Sequence, residues 1–573
     1  MLTKIISKIT RRSHPVSTIT EKNSSPEKSS ESEKEWALYT QRGDGLLQEK
    51  KYSHALNAYQ QAIDIDPYCV DAYLKRAEIF LALQNKKQAI ETYQMVMAFE
   101  PDNYYPYFAL AKILQEHNDM IGALSMYEKA LHCNPDNAEM LCEVARIFIP
   151  QYDQHMQIEK MLLRALQLDP RSFDAYFHLG LLYFRLGRFQ EAIPLFEKSN
   201  EMSADHPEVY SNLGLTLYCQ NKIAAASDCF LKAIELDPTF TDAKWSYALN
   251  LLKNGDYAQG WKYYEYRLKN KAHLDSFIVK RYQYSQKWNY GENITGKTVV
   301  LHSEQGFGDT LQFVRYAPRI AKRGATVILD CEPELAPLLM TVEGVSQVVS
   351  IYEPLPTFDL CVSSMSLPMM LDTTLETIPA EIPYIKANET LIKHWEMTLG
   401  KRTCLRVGLV WAGNARVDQK DSFTHYIDRR RSTTLEKFVP LGNISNIEWF
   451  SLQKGEPAKQ IKTAAKNLNL QDYTDQFHTF ADTAAFITQL DLVITVDTAV
   501  AHLAGAMGKP VWLLSRYDGC WRWLLNREDS PWYPTMRIFR QKQPGDWEGV
   551  IADVGRALRS HQLLSMPQNG CST

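Results

Sequence analysis

The chain repeats itself with a period of about 34 residues, and this period constrains its fold more than any other feature. Four stretches, HALNAYQQAIDIDP, QAIETYQMVMAFEP, GALSMYEKALHCNP and AAASDCFLKAIELDP, are variants of one pattern that closes on proline. The closing prolines are separated by 34, 34, 35 and 68 residues, and they are Pro67, Pro101, Pro135, Pro170 and Pro238. A fixed period of this length predicts a solenoid of stacked helix pairs.

Within each unit the pattern resembles the tetratricopeptide repeat (TPR). Two units carry the small, small, aromatic, small and proline residues of that family: Gly43, Ala55, Tyr59, Ala62 and Pro67 in the first, and Gly214, Ala226, Phe230, Ala233 and Pro238 in the sixth. Small residues let two helices approach closely, and proline ends the second helix. We therefore expect a TPR solenoid over residues 35–270 that binds a protein partner or acceptor. The alternative is that the stack is only a spacer.

The last repeat, AKWSYALNLLKNGDYAQGWKYYEYRL, is heavily aromatic, and we interpret it as a cap that joins the next domain. Residues 1–34 precede the repeats and are expected to be a disordered tail, because TEKNSSPEKSSESEKE cannot bury apolar surface. The segment MLTKIISKITRRS has an apolar face beside four cations. Peripheral membrane contact through this segment is therefore a weaker expectation.

Composition excludes several classes of protein. The formal net charge is −4 with no long basic stretch in the folded part, which argues against nucleic acid as the main partner. No apolar run reaches the roughly 20 residues that a transmembrane helix needs. The 10 cysteines include no CxxC pair and suit free thiols in a reducing compartment. We therefore expect a cytoplasmic protein.

After residue 296 the pattern changes to strand, loop and helix. TVVLHSE, TVILD, QVVSIY and FDLCV read as strands of one unit. LRVGLV, IEWFSL, LNLQDYT, LDLVITV and GKPVWLL read as strands of a second, with GKPVWLL as the last clear one. Such alternation predicts parallel sheets in two lobes, at residues 297–386 and 403–562. Ligands of such sheets bind where the strands end at the carboxyl edge.

The stretch from Thr298 to Leu558 resembles the heptosyltransferase-type glycosyltransferases (glycosyltransferase family 9). The resemblance rests on SEQGFGDTLQFVRYAP, VGLVWAGN, RRRS, FSLQKGE, VDTAVAHLAGAMGKPVW and WRWLLNREDSPWYP, which occur in the family's order. The whole chain resembles bacterial proteins that join TPRs to such a domain. The resemblance implies a GT-B fold of two Rossmann-like lobes, the first for the acceptor and the second for the donor. The first lobe is shorter than in typical heptosyltransferases, so a lipopolysaccharide acceptor is not implied.

The resemblance implies transfer of a sugar from a nucleotide diphosphate sugar to an acceptor hydroxyl, without a cofactor or a required metal. In the family the turn VDTAVAHLAG holds the donor diphosphate, which here assigns Asp497, Thr498, Ala499 and Val500 to donor binding. Free N–H groups at a helix start suit phosphate. His502 would neutralise charge on the leaving diphosphate. Taken alone, Asp497 is more typical of a helix cap and His502 of a packed core histidine.

Other donor-binding candidates follow neighbouring strands of the second lobe: Trp411, Gly413, Asn414, Arg431, Ser432, Lys454 and Glu456. An arginine fork suits a phosphate, although RRR is also typical of a solvated basic loop. Lys454 would reach a phosphate, and Glu456 would accept hydrogen bonds from ribose hydroxyls.

The first lobe contributes Asp309, which follows Gly306 and Gly308 in a tight turn between a strand and a helix. In the resembling enzymes the aspartate of this turn is the proposed base, which would take the proton of the acceptor hydroxyl. The alternative is that Asp309 only caps the helix. No cluster of residues has the spacing of a metal site, so none is expected.

Two further interpretations stay open. The first is a protein O-glycosyltransferase, because O-GlcNAc transferases also join TPRs to two Rossmann-like lobes. The second is a TPR scaffold or adaptor whose transferase domain is inactive. The sequence alone does not give the donor sugar, the acceptor or the stereochemistry.

Overall fold

The computed structural model describes residues 30–149, 154–270, 274, 276–413, 423–464 and 468–565. The expected tail therefore lies outside the described residues up to residue 29, and the first helix begins at Ser30 rather than at residue 35. The chain divides into two units. The first comprises residues 1–183 and 197–204, and the second comprises residues 184–196 and 205–573.

Helices make up the described part of the first 202 residues. In order they are α1 (Ser30–Gln48), α2 (Tyr52–Ile65), α3 (Val70–Ala82), α4 (Lys86–Phe99), α5 (Tyr104–Glu116), α6 (Met120–Cys133), α7 (Ala138–Phe148), α8 (His155–Leu168), α9 (Phe173–Arg185) and α10 (Phe189–Met202). Within the first unit α1 packs on α2, α3 on α4, α5 on α6 and α7 on α8. The helix pairs predicted from the period are confirmed.

The small and aromatic positions of the repeat pack as predicted. A Cβ atom added to Gly43 would lie 2.6 Å from the Tyr59 ring, and one added to Gly214 would lie 2.7 Å from the Phe230 ring. Both rings are fully buried. Any side chain at either glycine would therefore push the two helices of its unit apart.

The last repeats belong to the second unit as α11 (Pro207–Cys219), α12 (Ile223–Leu236), α13 (Thr241–Lys253) and α14 (Tyr257–Tyr264). Aromatic side chains of α13 and α14 share one core with the α/β region. The Trp261 and Trp521 rings lie 5.2 Å apart, and the Trp532 indole donates to the Tyr257 hydroxyl at 3.2 Å. These contacts agree with the interpretation of the last repeat as a cap. Because one hydrophobic core continues across residue 270, the boundary expected there does not separate two hydrophobic cores.

Two parallel sheets follow in the described chain. The first has the order β3-β2-β1-β4, with β1 (Thr298–His302), β2 (Thr326–Cys331), β3 (Val345–Ser350) and β4 (Leu360–Ser363). The second has the order β10-β9-β8-β5-β6-β7, with β5 (Leu405–Val410), β6 (Ile447–Ser451), β7 (Leu470–Asp472), β8 (Leu492–Val496), β9 (Val511–Ser515) and β10 (Met536–Arg540). The expected parallel pairing is confirmed. The expectation that GKPVWLL is the last strand is wrong, because β10 adds an edge strand beside β9.

The helices of this region are α15 (Phe277–Arg281), α16 (Phe307–Phe313), α17 (Ala317–Lys322), α18 (Ala336–Leu339), α19 (Leu367–Met370), α20 (Glu389–Leu399), α21 (Phe423–Arg431), α22 (Ile461–Ala464), α23 (Phe480–Thr488), α24 (Ala499–Ala506) and α25 (Trp547–Ser565). The segment LQFVRYAPRIAKRG does not form one continuous helix, because a 3-10 turn lies between α16 and α17. Pro318 lacks the N–H that would continue a helix across this point.

The two lobes pack against each other through one apolar core. The amide of Phe480 in the second lobe donates to the Glu334 carbonyl of the first at 3.0 Å. The Arg315 guanidinium of the first lobe donates to the Trp532 carbonyl of the second at 2.7 Å. The carboxyl ends of β1 and β8 are followed by α16 and α24, and these two helices meet in the seam between the lobes.

Candidate functional site

The seam brings together two turns that the sequence singled out separately. The glycine turn, residues 306–308, precedes Asp309 in the first lobe, and the donor turn, residues 497–500, opens α24 in the second. A Cβ atom added to Gly308 would lie 2.9 Å from His502 Cδ2 and 3.5 Å from Ala499 Cα. Glycine at this position therefore permits the close approach of the two turns.

The first turn of α24 has no side-chain cap. Thr498 occupies the cap position, and its hydroxyl lies 3.0 Å from that of Thr495 instead of bonding a helix amide. Within the described chain the amides of Thr498, Ala499 and Val500 donate to no backbone carbonyl. Asp497 is not the cap, so the capping alternative does not describe it. The helix start therefore presents amide donors beside a carboxylate.

His502 is buried one turn into α24. Its Nδ1 lies 2.9 Å from the Tyr533 hydroxyl, and its ring stacks on Trp523 with 5.4 Å between centroids. Burial lowers the pKa of the imidazole to about 3, and the Arg522 cation lowers it in the same direction. His502 is therefore neutral near pH 7 and can donate a hydrogen bond but not a charge. These contacts also fit the packed-histidine alternative.

Asp309 caps α16, because its Oδ2 accepts the Gly306 N–H at 3.1 Å. Its Oδ1 forms an ion pair with Arg522, whose Nε also donates to Gln312 Oε1 at 2.6 Å. Both carboxylate oxygens are thus engaged within the protein. Gly306 rather than Asp309 occupies the N-cap of α16, and Asp309 contributes to the cap from the third position of the helix. Its role as a base stays a prediction.

Gly413, Arg431 and Ser432 lie together at the end of β5. The Gly413 N–H donates to Ser432 Oγ at 3.0 Å, and a Cβ atom at Gly413 would lie 2.6 Å from Arg431 Nη2. The Arg431 guanidinium is held by Asp428, with Nη2 2.6 Å from Oδ1. Asn414 lies outside the described residues. The structure places the other three residues side by side, and their role in donor binding stays a prediction.

Trp411 is placed differently from the expectation. Its side chain is fully buried in the core of the second lobe, so it cannot line a cleft. The backbone N–H of Trp411 donates to Gln453 Oε1 at 3.0 Å, and Gln453 Nε2 donates to the Lys454 carbonyl at 3.0 Å. Gln453 therefore joins the ends of β5 and β6.

Lys454 and Glu456 each bind a partner within the second lobe. The Lys454 amine donates to the Phe477 carbonyl. Exposed Glu456 pairs with Lys459 at 2.7 Å. Their expected roles with phosphate and ribose stay predictions.

A buried charge cluster was not found from the sequence. Asp518 pairs with Arg516 at 2.8 Å and with Arg430 at 3.2 Å. The Lys253 amine donates to the Asp518 carbonyl at 3.0 Å, and burial lowers its pKa to about 8. Lys253 sits at the end of the repeat helix α13.

Two general properties bear on chemistry and location. Among the described residues, no three His, Cys, Asp or Glu side chains are grouped so that they could hold a metal ion. None of the helices in the described ranges has both the length and the apolar character needed to cross a bilayer.

Family models described as tetratricopeptide repeat match residues 46–113 and 171–239. The chain contains tetratricopeptide repeats. Such repeats support a protein-interaction scaffold, and the helix pairs of the structure agree with the match.

Three comparisons place the chain among known proteins. It is 26% identical to Protein FlbA of Caulobacter vibrioides over 427 residues, covering 70% of this chain and 69% of that protein. It is 25% identical to the peroxisomal targeting signal receptor of Candida albicans over 113 residues, which is 19% of each protein. A tetratricopeptide repeat protein from Parabacteroides merdae is 14% identical, with a TM-score of 0.34, over 43% of this chain and 96% of that one.

Proposed function

We propose that this protein is a GT-B glycosyltransferase that moves a sugar from a nucleotide diphosphate sugar to an acceptor hydroxyl. The strand order of the second sheet supports this proposal. Numbered from β5, it is 6-5-4-1-2-3, the order of doubly wound nucleotide-binding sheets read in reverse. The first sheet has the order 3-2-1-4, which is the first part of the same arrangement. In such sheets ligands bind beyond the carboxyl ends of the strands, where the two lobes meet here.

The observation that carries the proposal is the uncapped start of α24 in this seam. Free amides and the helix dipole favour an anion such as a diphosphate. Neutral His502 would donate a hydrogen bond to the leaving diphosphate oxygen and stabilise its developing charge. These groups belong to the chain itself, so the proposed chemistry requires no cofactor.

In the proposed reaction the acceptor oxygen attacks the anomeric carbon while the bond to the diphosphate oxygen breaks. Asp309 is the proposed base for the proton of the acceptor hydroxyl. Its ion pair with Arg522 would have to loosen for the carboxylate to accept that proton. The repeats would select a protein partner or acceptor. No two of the nine described cysteines form a disulfide, which favours a reducing compartment such as the cytoplasm.

The second candidate is a TPR scaffold with an inactive transferase domain. It is favoured by the engagement of both Asp309 oxygens and by the buried, hydrogen-bonded state of His502. The two candidates differ in one measurable property. A scaffold that has kept its donor turn would bind donor without breaking the glycosidic bond, whereas a transferase would transfer or slowly hydrolyse it.

Calorimetry of the full-length protein with a panel of nucleotide diphosphate sugars tests the proposal. Ala499→Asp places a carboxylate against the diphosphate and should abolish binding of the best donor. Ala552→Asp adds the same charge at an exposed position of α25 and should leave affinity unchanged. Equal affinity in the wild type and Ala499→Asp would place the donor elsewhere, and no binding in any arm would contradict a transferase.

A further inference from the structure

The small residues of α24 make room for an aromatic side chain from a distant loop. A Cβ atom added to Gly505 would lie 2.6 Å from Tyr533 Cδ1. Gly505 and His502 are three residues apart and share one face of the helix. The fully buried Tyr533 ring lies in the space that Gly505 leaves, and its hydroxyl reaches His502 Nδ1 at 2.9 Å.

The direction of this hydrogen bond follows from the surroundings of Tyr533. Burial raises the pKa of its phenol, so the hydroxyl keeps its proton. The neighbouring Tyr384 hydroxyl already accepts from Arg315 Nη2 at 2.8 Å and donates to the Leu311 carbonyl at 2.9 Å. A neutral imidazole nitrogen is a better acceptor than a phenol oxygen that already accepts from a guanidinium, so the Tyr533 proton is directed to Nδ1 of His502 at 2.9 Å rather than to Tyr384. A neutral imidazole that accepts at Nδ1 carries its own proton at Nε2.

The other ring nitrogen of His502 points to the seam. A Cβ atom added to Gly308 would lie 3.6 Å from His502 Nε2 and 3.5 Å from Ala499 Cα. Nε2 therefore lies between the glycine turn and the start of α24. Stacking on Trp523 holds the ring in this orientation.

We propose that Tyr533 is a positioning residue, which fixes neutral His502 as the Nε2–H tautomer and so presents a hydrogen-bond donor to the oxygen that leaves with the diphosphate. The tautomer rests on the contacts of Tyr533 alone. Its use toward a diphosphate rests on the proposed function. The two parts are measured separately.

Nitrogen NMR of the full-length protein labelled with ¹⁵N-histidine tests the tautomer. The His502 signals are assigned by their loss in His502→Gln. We expect one Nε2–H species that does not titrate between about pH 5.5 and pH 8.5, because burial keeps the ring neutral. The charged groups near this ring are Arg522, Arg315, Arg431 and Asp497. An Nδ1–H species in the wild type would overturn the proposal.

Tyr533→Phe keeps the ring on Gly505 and removes only the hydroxyl. We expect this variant to show both tautomers of His502. Tyr316→Phe is the matched control, because Tyr316 is equally buried and its hydroxyl lies 3.0 Å from Thr373 Oγ1, away from His502. A His502 spectrum unchanged in Tyr533→Phe would overturn the proposal. If this variant does not fold, the wild-type spectrum alone decides the tautomer.

Transfer kinetics test whether the Nε2 proton of His502 acts on the oxygen that leaves with the diphosphate. Removing a donor to a developing oxyanion costs about 10² to 10³ in kcat, and loss of its orientation should cost less. We expect Tyr533→Phe to lower kcat about tenfold or more with little change in KM for the donor, while Tyr316→Phe matches the wild type. A wild-type kcat in Tyr533→Phe would overturn the positioning role. Absence of transfer by the wild type would contradict the proposed function and leave the tautomer result standing.

Discussion

Replacing Asp309 by asparagine separates two contributions of this residue to stability. Asparagine keeps an oxygen that can accept the Gly306 N–H, so the cap of α16 is retained. It removes the negative charge opposite Arg522. The side chains of Arg522 and Asp309 are 11% and 20% exposed, so this charge pair is only partly hydrated.

The contacts of Arg522 set the expected magnitude. Removing one partner of a buried ion pair typically costs about 3–5 kcal/mol. Arg522 keeps its bond to Gln312 and lies 4.4 Å over the Trp521 ring, and the asparagine oxygen still faces it. We therefore expect a lower cost, about 1–3 kcal/mol, as for hydrogen bonds to charged groups. If Asp309 contributed only to the helix cap, its replacement by asparagine would lower the free energy of unfolding by about a few tenths of a kcal/mol, because asparagine caps equally well.

Urea unfolding followed by tryptophan fluorescence measures this effect, because Trp521 and Trp532 lie in the core of the second unit. Asp309→Asn, Arg522→Gln and the double variant form a cycle that isolates the pair. We expect a coupling of about 1–3 kcal/mol. Wild-type stability in Asp309→Asn, or an additive double variant, would refute the ion-pair argument and leave Asp309 as a cap alone.

Three further predictions concern the same unit. Gly505→Ala adds about 0.5–1 kcal/mol of helix propensity, but the new methyl group overlaps the buried Tyr533 ring at a cost of about 1–3 kcal/mol. Thermal unfolding should therefore show a lower melting temperature, and a raised one would contradict this packing. Burial lowers the pKa of folded His502 to about 3, so on acidification the unfolded chain takes up the His502 proton before the folded chain does, and the free energy of unfolding falls as pH drops below about 6.5. Urea unfolding at several pH values should show a smaller fall for His502→Gln. An equal pH dependence in the two proteins would contradict the burial argument. Glu304→Gln removes the charge that Arg267 binds at 2.9 and 2.8 Å and should cost about 3–5 kcal/mol in chemical denaturation; an unchanged midpoint would show that the pair contributes nothing.

Periodicity and apolar runs predicted most of the fold. Helix pairs follow from the spacing of prolines and small residues, and strands buried on both faces read as continuous apolar runs. β10 was missed because MRIFR alternates apolar and charged residues at the edge of the sheet. The segment contains no continuous apolar run that would indicate a strand. It is a strand because its backbone pairs with β9.

The sequence predicted those parts of the site in which a motif places a backbone turn. It did not predict the contacts between side chains that lie far apart along the chain. The glycine turn and the donor turn each follow a strand, so each was expected at the carboxyl edge of its own sheet. The pairing of Asp309 with Arg522 joins residues 213 positions apart. The contact of Tyr533 with His502 depends on a loop whose path no local pattern gives.

The central claim is that the start of α24 holds the diphosphate of a sugar nucleotide. A crystal structure of the full-length protein with the donor that binds best in calorimetry tests it most directly. We predict diphosphate oxygens about 2.7–3.2 Å from amide nitrogens among Thr498, Ala499 and Val500, with His502 Nε2 within hydrogen-bond distance of the same group. A donor bound elsewhere, with these amides facing only water, would contradict the account.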